Sequence, residues 1–339
     1  MRKLPVLALA FVSAVSAVAL AVHLDAAGTG YHILNEIKIG GEGGWDYLTV
    51  DSAARRLYVS HATHVVVVDI DKNTVVGDIP ETPGVHGIAL APELGKGFIS
   101  NGRGNNVTIF DLKTLKSTGT VATEMNPDAI RYDPVSKRVF AFNGRSRSAT
   151  AIDAKTGMAV ATIMLPGKPE FSVADGKGKV YANIEDTSEI VEIDAATAKV
   201  AKKYALTGCE GPSGLAIDPR ARRLFSVCGN RVMAVSDPDK GTVVATPAIG
   251  AGPDGVVFDP GSGYAMSSNG DGTLTIVQQS GGKYDVLENV ATERGARTIA
   301  LDEKTHRVYL PTATAGQAPT GGGRAPFLPD SFKILVVGK

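Results

Sequence analysis

Self-similarity constrains this chain more than any other property of its sequence. The residue that ends the hydrophobic strand before each turn recurs as Asp51, Ala91, Asp133, Asp175, Asp218, Asp259 and Asp302, at spacings of 40, 42, 42, 43, 41 and 43 residues. A period in this range marks supersecondary units that cannot bury their apolar faces alone and must pack on their neighbours. Gly supplies 39 of the 339 residues, above the usual ~7%, which fits many tight turns and few long helices.

Each unit repeats one internal grammar. A short strand such as Tyr47-Leu48-Thr49-Val50 runs into a polar turn. A basic residue and a β-rich strand follow: RLYVS at 56–60, RVFAF at 138–142, KVYAN at 179–183, RLFSV at 223–227 and RVYLP at 307–311. A third strand comes next, as in VVVVDI at 65–70, VTIFDL at 107–112 and IVEIDA at 190–195, and then a fourth, such as Val75 to Ile79. Short runs rich in Val, Ile, Tyr and Phe between turn residues specify strands. Four antiparallel strands per unit at this period predict an all-β, seven-bladed β-propeller. The last unit stops at its third strand, Ile334 to Val337, whereas Ile33 to Ile39 precedes the first repeat with the right alternation. That N-terminal strand is expected to complete blade seven and remove an open sheet edge.

The blades carrying RLYVS…VVVVDIDKNTVV and KVYANIEDTSEIVEIDAATAKV resemble the YVTN-repeat, YncE-like seven-bladed propellers of the bacterial periplasm and cell surface. The resemblance spans residues 31–339. It implies the fold and an exported location; related propellers serve as binding proteins, lactonases and electron-transfer subunits, so it leaves the chemistry open.

The N-terminus agrees with export. Basic Met1-Arg2-Lys3 precedes an apolar run from Leu4 to Val22, and Ala19-Leu20-Ala21 is a small-x-small site. Residues 1–27 are therefore expected to be a secretory signal cleaved near residue 21, with an uncleaved anchor as the alternative. Residues 31–339 form one propeller domain in this reading, a monomer in the periplasm or secreted. No later run is long enough to span a membrane. With 35 basic and 35 acidic side chains, bulk attraction to nucleic acid or anionic lipid is not expected.

Strand one of each blade lines the channel, which lets one face be read by register. Five residues before each reference position stand Asp46, His86, Asp128, Glu170, Ser213, Asp254 and Arg297, none of them apolar. A second ring, three residues past the strand-two aromatic, contains His61, Asn101, Asn143, Ile184, Cys228, Ser267 and Thr312, with Asn230 and Asn269 close by. Polar groups converging on a concavity predict a ligand site; the competing reading is that Asp and Asn tie neighbouring loops together. The expected ligand-binding set is Asp46, His61, His86, Asn101, Asp128, Asn143, Glu170, Asp254 and Arg297, holding a small molecule or a segment of a protein partner. His64 and His306 are read as surface residues.

A divalent metal (Ca, Zn or Cu) is a further expectation, with His61, His86 and Asp46 as ligands, since imidazole with carboxylate suits Zn or Cu and carboxylate with amide oxygen suits Ca. The enzymatic alternative is a metal-dependent, lactonase-like hydrolase using Glu170, Asn143, Asp254 and Asn269 as ligands and His86 as base. A third reading is a protein scaffold acting through a Gly/Pro-rich loop at 314–331, expected to lie on the same face as a lid or contact loop. The only cysteines, Cys209 and Cys228, most simply form a disulfide in an exported chain, a reactive thiol being the alternative. The absence of C-x-x-C-H excludes covalent c-type haem, and neither a Walker loop nor G-x-S-x-G is present.

Overall fold

Blades one to six are each built from three tight hairpins, and those hairpins follow from the residues at their turns. In the computed structural model, which describes Met1 and residues 28–317 and 326–339, the Asp at or just past the end of the inner strand bends back onto its own turn in every blade but the second, where Ala91 stands. The Asp51 carboxylate accepts the amides of Ala53 and Ala54, and the Asp218 carboxylate those of Arg220 and Ala221. These are Asx turns, which satisfy backbone donors locally. The periodic Asp is thus a folding signal on the face opposite the polar rings.

Seven four-stranded antiparallel sheets result among the described residues, the first six blades each in chain order from channel to rim. The inner strands of blades one to seven are Leu48–Asp51, Val85–Ala91, Pro127–Asp133, Pro169–Ala174, Pro212–Asp218, Pro253–Asp259 and Ala300–Asp302. His32–Lys38 pairs antiparallel with Phe327–Gly338, placing Ile37 opposite Ile334, and so becomes the outer strand of blade seven. The expected all-β propeller, closed by its N-terminal strand, is the fold observed.

The core is a ring as well. Buried apolar side chains fall into seven clusters, each joining one pair of adjacent blades, including blade seven with blade one. Strand-two aromatics Tyr58, Phe98, Phe140, Tyr181 and Tyr309 are fully buried in these seams. Each such ring removes on the order of 150–250 Å² from water, which makes the inter-blade seams the main apolar burial in the molecule. Cys209 and Cys228 are disulfide-bonded, as expected for the exported reading; a link across this span stabilises by about 3 kcal/mol in the chain-entropy account.

Two expectations change here. The insertion at 314–331 is not a bare loop at its flanks: the second and third strands of blade seven, Arg307–Ala315 and Phe327–Gly338, extend beyond their counterparts, with Ala315 opposite Phe327. Alternating Thr and Ala on one arm suit a strand, and the lone Trp45 stacks on Phe332 of the other and meets Phe327 at a tilt, with centroids 4.9 Å apart in each pair. In blade six, Tyr264 opens the second strand, and register puts Asn269 opposite Pro253, in the position equivalent to Asn143 opposite Pro127. Asn269, rather than Ser267, therefore belongs to the second ring. The signal segment and its cleavage site, and the tip of the insertion, lie outside the described residues.

Candidate functional site

The first ring owes its direction to a backbone irregularity that recurs around the channel. In blades two to six the ladder between inner and second strand shifts register just where His86, Asp128, Glu170, Ser213 and Asp254 stand. A bulge re-aims a side chain that would otherwise lie between sheets. Here it turns successive polar groups toward the channel mouth. Small polar residues one place before the end of strand two fix that mouth: the Ser100 hydroxyl donates to the Asp128 carbonyl, Ser268 to the Arg297 carbonyl, and the Asn183 amide to the carbonyls of Ser213 and Gly214. Each bond crosses from one blade to the next. Their sequence signal was a Ser or Asn one place before the end of strand two.

At the mouth, His86 is gripped by two carboxylates. Its Nδ1 lies 2.6 Å from Asp46 Oδ2 and 3.6 Å from Asp128 Oδ1. Asp46, His86 and Asp128 also form a group with one ligand atom each, all within 4.8 Å of one another, a spacing that could hold a metal ion. Glu170 receives Lys168 Nζ at 2.6 Å, and the same ammonium reaches Glu185 at 2.6 Å. Arg297 Nε stands 3.1 Å from Asp254. Lys168 was not anticipated from the sequence, because it lies two residues before the ring position.

The electrostatics follow from crowding acids in a half-buried bowl. Burial drives Asp128 up to about 6, with repulsion from Asp46 adding to it and His86 opposing. Burial likewise drives Glu170 up to about 8, reinforced by Asp128 and opposed by Lys168, and Asp254 up to about 7, reinforced by Asp46 and opposed by Arg297. For His86, burial pushes downward, but the Asp46 hydrogen bond and the fields of Asp128, Asp46 and Glu170 outweigh it and raise it to about 9. Partly protonated carboxyls and an imidazolium replace a cluster of naked charges.

Tyr47 and Phe171 form the floor, meeting edge to face with centroids 4.4 Å apart. They come from blades one and four, on opposite sides of the channel, and together they plug it. Burial holds the Tyr47 phenol well above its ordinary value, with Asp128, Asp46, Glu170 and Asp254 all adding to the rise. One phenol feeling four ring carboxylates is itself a measure of how closely they converge.

The structure brings together Asp46, His86, Asp128, Glu170, Asp254 and Arg297, and it separates them from the second ring. Asn101 and Asn143 are fully buried, and their amides donate to Thr108 and Thr150 across their own hairpins. The Asn269 amide does the same with Thr275. These residues lock the strand-two to strand-three turn and do not present their amide nitrogens to the mouth. His61 is buried on blade one, its ring stacked on Phe332 at 4.7 Å and its Nδ1 3.2 Å from His64 Nε2. It lines a separate pocket with His64 and Asp78, so the cluster at the mouth pairs Asp46 and His86 with Asp128, not with His61. His306 is on the opposite face, where Nδ1 holds the Asp259 carboxylate at 3.0 Å.

No protein-family model matches the sequence, and none of the curated proteins matches it. Among solved structures, a chain titled Kuenenia stuttgartiensis hydrazine synthase is similar, with TM-score 0.69 and 16% identity over 81% of this chain and 94% of that one. At that identity the likeness shows the propeller fold alone. No helix among the described residues is long and apolar enough to cross a membrane.

Proposed function

We propose that this is an exported binding propeller whose channel mouth holds a small cationic ligand. The observation that carries the reading is the convergence of Asp46, Asp128, Glu170 and Asp254 around His86, on a floor made by Tyr47 and Phe171. Acids kept partly protonated by burial, with mutual repulsion adding to it, favour a cation that takes the place of those protons. A rigid disc supplies the preorganisation, since the inner-strand ring residues are tied blade to blade and the Asp46 carbonyl accepts the Thr298 hydroxyl of blade seven. The disulfide and the YVTN-repeat resemblance support placement in the periplasm or outside the cell.

Calorimetric titration of the full chain with Zn²⁺ and with butane-1,4-diammonium tests this. Saturable binding of at least one probe is expected at pH 7, tightening as pH rises from 5 to 8 because the competing protons on Asp128, Asp254 and Glu170 are then lost. Asp128→Asn should weaken it by about tenfold or more, the loss of one charge-assisted contact. Binding of neither probe, or binding indifferent to Asp128→Asn, would overturn the reading.

The lactonase-like alternative keeps one supporting observation, the mutual spacing of Asp46, His86 and Asp128. Imidazole with two carboxylates suits a Zn-type Lewis acid that polarises a carbonyl. In that reading Glu170, raised toward neutrality, is the group able to shuttle a proton. Of its expected ligands, Asn269 has its carbonyl oxygen taken by the Ser267 hydroxyl and Asn143 is fully buried within its own blade, which favours the binding role. A panel of lactones and esters assayed with Zn²⁺ separates the two.

A further inference from the structure

Below the Tyr47–Phe171 plug the channel widens into a chamber of about 300 Å³ to which every blade contributes. Its lining runs from Tyr47 down the inner strands to Glu303, an exposed residue in the turn on the face opposite the acidic mouth. None of the first-ring residues lines it. The half-buried Val50, Ile217 and Leu301 are among its apolar lining residues. The inner strands each have one ladder partner, so their free edges, with alternating N–H and C=O groups, border the same space.

One cationic side chain stands in this chamber. Arg131, on the inner strand of blade three, is half-buried and lines it. Its Nε donates to the Ser172 carbonyl of blade four at 3.0 Å. Among the described residues no carboxylate pairs with it. The one ionisable neighbour acting on it is the Tyr47 phenol, and burial works against its charge. Tyr47 is neutral at pH 7, and a guanidinium does not shed its proton. A charge withdrawn from bulk water without a counter-ion is costly unless something in its cavity solvates it. The rest of the guanidinium fork is the part left to meet whatever enters.

We propose that the lower chamber is an anion site for a small organic monocarboxylate, with Arg131 clamping the carboxylate and the channel walls covering an apolar body. A planar fork matches a carboxylate in two-point geometry, which a lone ammonium would not. The volume lies at the small end of ligand pockets, which limits the guest to a short-chain or single-ring acid. Glu303 at the rim disfavours polyanions. The site is separated from the acidic mouth by the plug, and it does not depend on the cation reading of that mouth.

The test uses the full chain with three isosteric probes: hexanoate, hexanol and hexylammonium, followed by saturation-transfer NMR and calorimetry. Wild type should bind hexanoate saturably and the other two at least about tenfold more weakly. Arg131→Met should abolish the preference for hexanoate, while Arg131→Lys keeps charge but loses the fork and should fall between. Val257→Phe, which fills the chamber from blade six and leaves Arg131 in place, should weaken hexanoate as well, so that the claim remains testable if Arg131→Met fails to fold. Binding of Zn²⁺ or diammonium at the mouth should be unchanged in both chamber variants. No saturable hexanoate binding, equal binding of hexanol, or hexanoate affinity untouched by Arg131→Met or by Val257→Phe would overturn it.

Discussion

His86 carries the clearest single-residue consequence. Its folded pKa of about 9 lies above its ordinary 6.5, and Asp128, Asp254 and Glu170 are raised as well. A group raised on folding contributes stability that is complete below its unfolded pKa and is lost as pH rises through the folded one. All four groups therefore act in the same direction. Melting temperature, followed by calorimetry in the absence of divalent ions, should fall between pH 5 and pH 9; a flat or rising profile would contradict the cluster. His86→Ala leaves Asp46 and Asp128 facing each other and should destabilise by about 1.5–3 kcal/mol at pH 7, the range for hydrogen bonds to charged groups. By the same rule the loss should be fully present at pH 5 and shrink above about pH 9, where the imidazolium gives up its proton.

At the scale of elements, the fold rests on seams between blades, and the seam of blade seven with its neighbours depends on a strand from the other end of the chain. His32–Lys38 covers the edge of Phe327–Gly338, with Ile37 only 2% exposed. Deleting residues 28–38 would bare an apolar strand edge and open the ring. Such a truncation should lose cooperative unfolding and self-associate, as read by chemical denaturation and light scattering. A monomeric truncation with an unchanged midpoint would show that closure is dispensable. This element was legible in the sequence because alternation over Ile33 to Ile39 met a unit lacking one strand. The extended hairpin of blade seven was not, since Gly and Pro at its centre hide the pairing of Ala315 with Phe327, and the partner that fixes it, Trp45, is 282 residues away from Phe327 along the chain (327 − 45).

For the molecule as a whole, periodicity made the ring and its first-ring positions readable, because a repeat converts sequence position into angular position about one axis. The same counting failed for the second ring. Tyr264 and Met266 both fit the strand pattern of blade six, and only the ladder shows which is central. His61 shares a register with Asn101 and Asn143, yet stacking on Phe332 and pairing with His64 keep it in its own pocket. Tyr47, Phe171, Lys168 and Arg131 escaped notice for another reason: their roles arise from groups brought across the channel or from offsets within a strand, and no local pattern encodes those. The central claim is that acids from separate blades meet around one imidazole. Heteronuclear NMR of the six histidines, with His86 assigned by its Ala variant, tests this most directly. One imidazole should titrate near pH 9 and return toward 6.5 in the Asp46→Asn/Asp128→Asn double variant, whereas a wild-type His86 titrating at 6.5 or below would contradict the account.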